Sequence, residues 1–349
     1  MDFPLVSVIV LNYNGRQYLP DLFNSLENTD YPLDKIEIIM GDNASTDDSV
    51  VLVKERFPHV KILKFKENQG FCKGNNLCVK ESLGQYIVFL NNDTLVTSSW
   101  LKNLVNAILE DKTVVVAGSK LLKPYLRNGK RIIDYAGGKI TYEINFYEGL
   151  YEFDNEDYAV QKYTGFGCGA CVIVSKEFFS KIGGFDNYYF GGAEEVELGL
   201  RAWQNGFRVL FVPSSVVYHF RGVTFKNVNT FAVYAWVKSM FYFILKNYSP
   251  KNIVQYGSES ILLTQMPKLI VFLLRKDLAS FSSIVKGMFD FLFELKSKDL
   301  LSAIYKERLQ IKNNRTVSDS ELAKLGIVSS FSERMRYRLI SYQGWKLEL

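Results

Sequence analysis

The chain has 349 residues, 48% apolar and 23% charged, with 4 cysteines and a formal net charge of +5. Such a length supports about two domains with substantial cores, and the composition excludes a disordered chain, a collagen and a disulfide-framed secreted domain. The charge is uneven: residues 1–220 carry 22 Lys+Arg against 27 Asp+Glu, a net −5, and residues 221–349 carry 20 against 10, a net +10. An acidic front joined to a basic tail implies different partners for the two parts.

Met1–Pro4 has no basic region, and Leu5–Leu11 runs into Asn12-Tyr13-Asn14 instead of a small-residue cleavage site, so no signal peptide is expected. Val6–Leu11 reads as a buried strand, and Tyr18–Leu26 as a helix with Leu19, Leu22, Phe23 and Leu26 on one face. Ile36–Met40 is a second strand, followed by a helix capped within Ser45–Asp48 and running to Phe57. Val60–Phe65 and Tyr86–Leu90 read as strands, with helices over Gly74–Leu83 and Ser99–Glu110. Strands alternating with helices of this length predict an α/β fold with a mostly parallel sheet.

The predicted strands leave into Asn12-Tyr13-Asn14, Gly41-Asp42-Asn43, Glu67-Asn68-Gln69-Gly70 and Asn91-Asn92-Asp93. Ligands of open α/β sheets bind beyond the carboxyl ends of the strands, so these exits outline a polar pocket. Residues 121–160 read as irregular, with strand-like pieces at Lys139–Tyr142 and Asn145–Leu150. Cys171–Ser175, Phe207–Val212 and Ser215–Tyr218 read as strands, and Lys176–Ile182 and Glu195–Asn205 as helices, the last ended by Gly206.

Val228–Tyr248, Ser258–Lys276 and Leu278–Leu300 are long, Phe- and Leu-rich helical patterns interrupted by Lys238, Lys268 and Lys286. They fit amphipathic helices lying in a membrane interface, or helices packed on the rest of the protein. The end of the chain is basic, with Arg334, Arg336 and Arg338 close together. No nucleic-acid motif accompanies this charge, so nucleic acid is not an expected partner.

Cys72, Cys78, Cys168 and Cys171 lack the spacing of a zinc framework and read as buried thiols. Gly165–Ala170 is neither a Walker loop nor a dinucleotide fingerprint, and its glycines would let a ligand approach the backbone. Asp93 ends a strand, where a carboxylate commonly meets a ribose or a divalent cation. Glu194, Glu195 and Glu197 make either an exposed acidic first turn or a set of distinct roles, with 194 and 197 on one face. His219, after an apolar strand, is by itself either a structural histidine or a ligand.

In order, the segments VSVIVLNYNG, GDNASTDDS, NQGFCKGNN, YIVFLNNDT, GFGCGACVIVSKEFFSKIGGFD, EEVELGLRAWQNGF and VVYHFRG resemble family 2 glycosyltransferases over residues 5–225. The likeness is greatest to rhamnosyltransferase-like and galactofuranosyltransferase-like members. It implies a GT-A fold, with residues 1–225 as catalytic domain, 1–120 the nucleotide-sugar half and 121–225 the acceptor half. Residues 226–349 would form a helical, basic, membrane-associating region.

The resemblance further implies inverting transfer from a UDP- or dTDP-sugar to a glycan or lipid-linked acceptor in cell-surface glycan synthesis. The enzyme would use Mn²⁺ or Mg²⁺ and lie on the cytoplasmic face of the membrane. On it, Asn12, Asn14, Asp42, Asn43, Asn75 and Asn92 line the nucleotide. Asp93 and His219 meet the metal, and Glu195 is the base. Glu194, Glu197, Arg201 and Gly169 contact or support the acceptor. Glu195 stands where the family usually has aspartate, and one more methylene moves the carboxylate by about 1.5 Å. A nucleotidyltransferase would instead carry a basic glycine-rich triphosphate loop where Asn12-Tyr13-Asn14-Gly15 stands. A non-catalytic, glycan-binding scaffold would have lost the base or the metal residues.

Overall fold

The computed structural model describes residues 3–141, 144–220, 230–329 and 332–333, with the side chains of 144–146 outside that description. The expected domain boundary at 225, the start of the helix at Val228, Tyr142 and the cluster Arg334, Arg336 and Arg338 lie outside the described residues.

The first part is built as the alternation predicts. β1 (Val6–Asn12), β2 (Ile36–Asp42), β3 (Lys61–Lys64) and β4 (Tyr86–Asn91) are joined through α1 (Leu19–Glu27), α2 (Ser49–Arg56) and α3 (Gly70–Lys80). All three pairings among these strands are parallel. Val6, Val8, Ile9 and Val10 are wholly buried, as expected of a strand covered on both faces. α2 begins at Ser49, later than its capping residues suggest. The side chain of Asn14 accepts the N–H of Thr46 at 2.7 Å and so holds that segment as a loop. α3 begins at Gly70, earlier than predicted, because Asn43 and Asn68 accept the N–H groups of Gln69 and Gly70.

After β5 (Thr94–Val96) and α4 (Trp100–Glu110), the region read as irregular holds two long strands. β6 (Val114–Arg127) and β7 (Lys130–Tyr135) form a hairpin. Pro124 and the lysines around it hide this extension from the pattern, since the outer half of β6 pairs only with β7. Next come β8 (Gly138–Thr141), β9 (Ile144–Tyr147), β10 (Lys162–Tyr163), β11 (Cys171–Ser175), α5 (Lys176–Lys181), α6 (Glu194–Gln204) and β12 (Arg208–His219). The two strand pieces expected between 207 and 218 are one strand. Its pairing with β6 shifts register between Val212 and Val216, around Pro213, which has no N–H to give.

The main sheet runs β10-β12-β6-β11-β4-β1-β2-β3, with β5 on β12 and β7 on β6. β11 is antiparallel to both β4 and β6, whereas β12 is parallel to β6. This mixed, mostly parallel α/β sheet precedes a helical region: α7 (Thr230–Asn247), α8 (Pro250–Ser260), α9 (Met266–Leu274), α10 (Leu278–Glu294), α11 (Lys298–Asn314) and α12 (Asp319–Lys324). A π-helical turn, Ile261–Gln265, joins α8 to α9. α7 is not a separate surface helix. Met240, Tyr242, Phe243 and Ile244 belong to the main core.

The glycine-rich segment serves close packing of the chain on itself. A Cβ on Gly199 of α6 would lie 2.3 Å from the Gly165 carbonyl oxygen, and one on Gly118 would lie 2.8 Å from Gly167 Cα. These contacts seat α6 directly against the loop before β11. All four cysteines are buried, and burial pushes the Cys171 thiol up to about 12.

Candidate active site

The chain leaves β1 toward β2 on one side, while β4 pairs on the other, so the strand order switches between β1 and β4. The polar residues gather at the carboxyl edge beside that point. Asn92 donates to Asn12 Oδ1 at 2.8 Å, tying the exits of β4 and β1 together. Asn12 in turn donates to Ser45. Asn14, with φ of 52°, is exposed. Asn43 is fully engaged, donating to Asn68 and Gly70 and accepting from Gln69. Asn75 lies inside α3 and bonds back to the Phe71 carbonyl oxygen. Asp42 differs from all of these. It is buried, and among the described residues its Oδ1 accepts no hydrogen bond. A buried carboxylate oxygen without a donor is costly, so this atom suits an N–H brought by a ligand.

Asp93 and His219 meet across the β5–β12 pairing, which places Thr94 opposite His219. Asp93 Oδ1 lies 3.3 Å from His219 Nε2. The other ring nitrogen, Nδ1, lies 2.8 Å from Asp134 Oδ2 at the end of β7. A carboxylate there can only accept, so Nδ1 carries the hydrogen. Asp134 is itself paired with Lys123 at 2.9 Å, and both are buried. Burial pulls the His219 pKa down, but the hydrogen bonds and charges of Asp134 and Asp93 outweigh it and leave it raised.

With Nδ1 protonated, a neutral ring turns the lone pair of Nε2 toward a carboxylate oxygen. Only a proton or a cation between them relieves that arrangement. Two ligands at right angles on an octahedral ion, each bonded at about 2.1 Å, are about 3.0 Å apart. The separation accommodates a shared proton, or a divalent cation that takes its remaining ligands from a bound substrate and water, since among the described residues no group of three or more His, Cys, Asp or Glu could hold a metal ion.

The three glutamates have three environments. Glu194 folds back to accept from the N–H groups of Gly192 and Ala193. Burial, and secondly the charge of Glu195, push its pKa up to about 8. Glu195 accepts from the Tyr147 hydroxyl at 2.8 Å. A Cβ at Gly169 would sit 3.4 Å from Glu195 Oε2, in ordinary contact, so the backbone of that loop lies directly beside the buried carboxylate. The next residue, Ala170, accepts the Asn91 N–H at 3.0 Å. The loop beside Glu195 thus lies against the Asn91-Asn92-Asp93 exit.

Glu197 points into the protein and meets Lys246 of α7 at 2.9 Å and Arg201 at 3.3 Å. Arg201 also donates to the carbonyl oxygens of Ile182 and Gly184. Glu197 and Arg201 fix α6, while Glu194 and Glu195 open it. Asp134, Lys123, Tyr147 and Lys246 were not singled out from the sequence. The one available hint was Asp134, an acid directly after the apolar pair Ile132-Ile133 in a stretch read as irregular.

The sequence profile of a family described as "Glycosyl transferase family 2" matches residues 7–183, and one described as "N-terminal domain of galactosyltransferase" matches residues 150–223. Polypeptide N-acetylgalactosaminyltransferase 6 of Mus musculus is 28% identical over 234 residues, 62% of this chain and 37% of that protein. The O-antigen biosynthesis protein RfbC of Myxococcus xanthus is 29% identical over 231 residues, covering 62% of this chain and 17% of that protein. The chain thus spans little more than a third of the length of the mouse relative. A crystal structure of GalNAc-T7 with UDP, GalNAc and Mn²⁺ aligns with a TM-score of 0.56 at 18% identity, over 85% of this chain and 58% of that one.

Proposed function

The chain belongs to glycosyl transferase family 2, and from that membership we propose that this glycosyltransferase moves a sugar from a UDP- or dTDP-sugar to a glycan or lipid-linked acceptor, inverting the anomeric centre. The observation that carries the reading is Glu195: a buried carboxylate bonded by Tyr147, faced by the backbone of Gly169 and lying beside the Asn91-Asn92-Asp93 exit. The UDP and Mn²⁺ named with GalNAc-T7 support a uridine donor and a divalent cation, and the O-antigen relative supports a cell-surface glycan. Residues 1–225 are read as the catalytic domain, working at the cytoplasmic face of a membrane on which the helical region rests.

Asp42 Oδ1 accepts an N–H of the pyrimidine base, which supplies the donor that the buried oxygen lacks. Glu195 takes the proton of the acceptor hydroxyl, whose pKa lies far above 7, as the new C–O bond forms. Attack from the side of Glu195, opposite the departing nucleoside diphosphate, inverts the carbon. Tyr147 holds the carboxylate in line. Asp93 and His219 would hold Mn²⁺ or Mg²⁺, with Asp134 keeping the His219 tautomer. When bound, the ion neutralises charge on the leaving diphosphate.

Thermal shift with UDP- and dTDP-sugars, with and without Mn²⁺, tests this. A donor at 100 times its Kd should stabilise the chain by about 2.7 kcal/mol, and Asp93→Ala should abolish the Mn²⁺-dependent part. Asp134→Asn should weaken Mn²⁺ affinity by about 10–100-fold, through the tautomer it fixes. Unchanged Mn²⁺ dependence in Asp93→Ala would remove that residue from the cation site.

A further inference from the structure

We infer that the outer face of the α9–α10 hairpin is a lipid-docking surface that inserts into an anionic membrane leaflet. This rests on the proposed peripheral action and names the surface responsible.

The helical run Pro250–Leu274 is 25 residues long with a mean hydropathy of 1.2 over its most apolar window, yet only 22% of that window is buried. Leu262, Met266, Ile270, Leu273 and Leu274 follow helical spacing and are all exposed, Leu274 at 78%. Across the turn, Leu278, Phe289, Leu292 and Phe293 are exposed as well, Phe293 at 73%. An apolar surface on this scale, left open on two packed helices, calls for a partner. The opposite face is occupied: Phe272 and Ile284 pack with Val237 of α7.

Two features select lipid. The inner side of the long helix packs Ser260, Thr264, Gln265 and Phe272 into the protein, so only its outer face can meet lipid and the helix would lie along a membrane rather than cross it. The charges are also sorted. Arg275 and Lys276 are exposed at the tip between α9 and α10, and Lys286, Lys296 and Lys298 are exposed beyond it, with Asp299 the exposed acid beside the last of them. The acids of the turn and of α10 are engaged elsewhere: Asp277 caps Ser280, Asp290 accepts from Tyr234, and Glu294 pairs with Lys238. Leucines and phenylalanines rimmed by cations complement an anionic leaflet. The same α7 that seats the hairpin grips α6 through Lys246 and Glu197, so docking would also orient the glutamates of the site.

Flotation of the full chain with vesicles containing phosphatidylglycerol, against phosphatidylcholine alone, is the test. The wild type should float with the anionic vesicles. Leu274→Glu with Phe293→Glu should lower the bound fraction by about tenfold or more, and Arg275→Glu with Lys276→Glu should weaken binding to the anionic vesicles and reduce its salt sensitivity. Both variants change exposed residues and should keep wild-type donor hydrolysis, which reports folding and the catalytic reading separately. A wild type that hydrolyses donor but does not float overturns the docking surface alone. A wild-type dimer made monomeric by Leu274→Glu, without flotation, overturns it in favour of a second copy of the chain.

Discussion

Replacing Glu195 with glutamine should lower the transfer rate by about 10²–10⁴-fold, the usual contribution of a positioned base, with donor affinity little changed. Glutamine keeps the size of the side chain and its bond to the Tyr147 hydroxyl, so the loss reports proton abstraction. Single-turnover transfer together with donor binding separates the two effects, and a variant as fast as wild type would remove Glu195 from that role. Glu194 adds a signature in stability. Its pKa is raised from the usual 4.5 to about 8, so the folded chain keeps a proton that the unfolded chain has released. Stability should therefore fall as pH rises from about 4.5 to about 8. Glu194→Gln should flatten that slope in denaturant titrations repeated across this range.

Lys246→Met should destabilise the protein by about 3–5 kcal/mol, the cost of leaving buried carboxylates without their cation. The Lys246 ammonium is wholly enclosed. It meets Glu197 at 2.9 Å, Glu307 at 3.5 Å, and Asp186. Asp186 also accepts from the Tyr242 hydroxyl at 2.8 Å. Burial pulls the Lys246 pKa down, but Glu197 and Asp186 outweigh it and hold the lysine charged. Burial likewise pushes Asp186 up, and Lys246 outweighs it, leaving Asp186 below its usual 3.8. The Asp186 contribution is thus present above 3.8 and lost as pH falls through the lowered value. Adding Glu197→Gln to Lys246→Met should cost less than the sum of the two single changes, because no charge is then stranded at that position. Urea unfolding of the three variants measures this, and a loss below about 1 kcal/mol for Lys246→Met would mean that water reaches the cluster.

The parallel half of the sheet was legible because each strand there is continuous and apolar, from Val6 to Leu11 and from Tyr86 to Leu90. β6 and β7 were not, because the outer half of β6 pairs only with β7 and the hairpin carries Lys123, Pro124, Arg127 and Lys130. The line of strand exits was equally readable, since parallel strands deliver their ends to one edge. What each side chain does at that edge was not. Asn43 and Asn75 bond to the chain itself, whereas Asp42 keeps an acceptor open. In sequence all of these are polar residues in similar company.

The sequence by itself determined the class of fold and the family, because periodicity and ordered motifs are local properties of the chain. The resemblance named Glu195 as the base and Glu194 and Glu197 as its neighbours in support, without the partners of any of the three. The tertiary structure separated them by bringing distant partners to each: Tyr147 and Gly169 to Glu195, and Lys246 to Glu197. It also supplied Asp134 and Lys123 behind His219. The charge asymmetry along the chain took on a spatial form in the same way. Arg275 and Lys276 between α9 and α10, and Lys286 of α10, lie exposed, while Asp277, Asp290 and Glu294 are held by a cap, a tyrosine hydroxyl and an ion pair. Charge and burial act through distance in space, which only the folded chain defines.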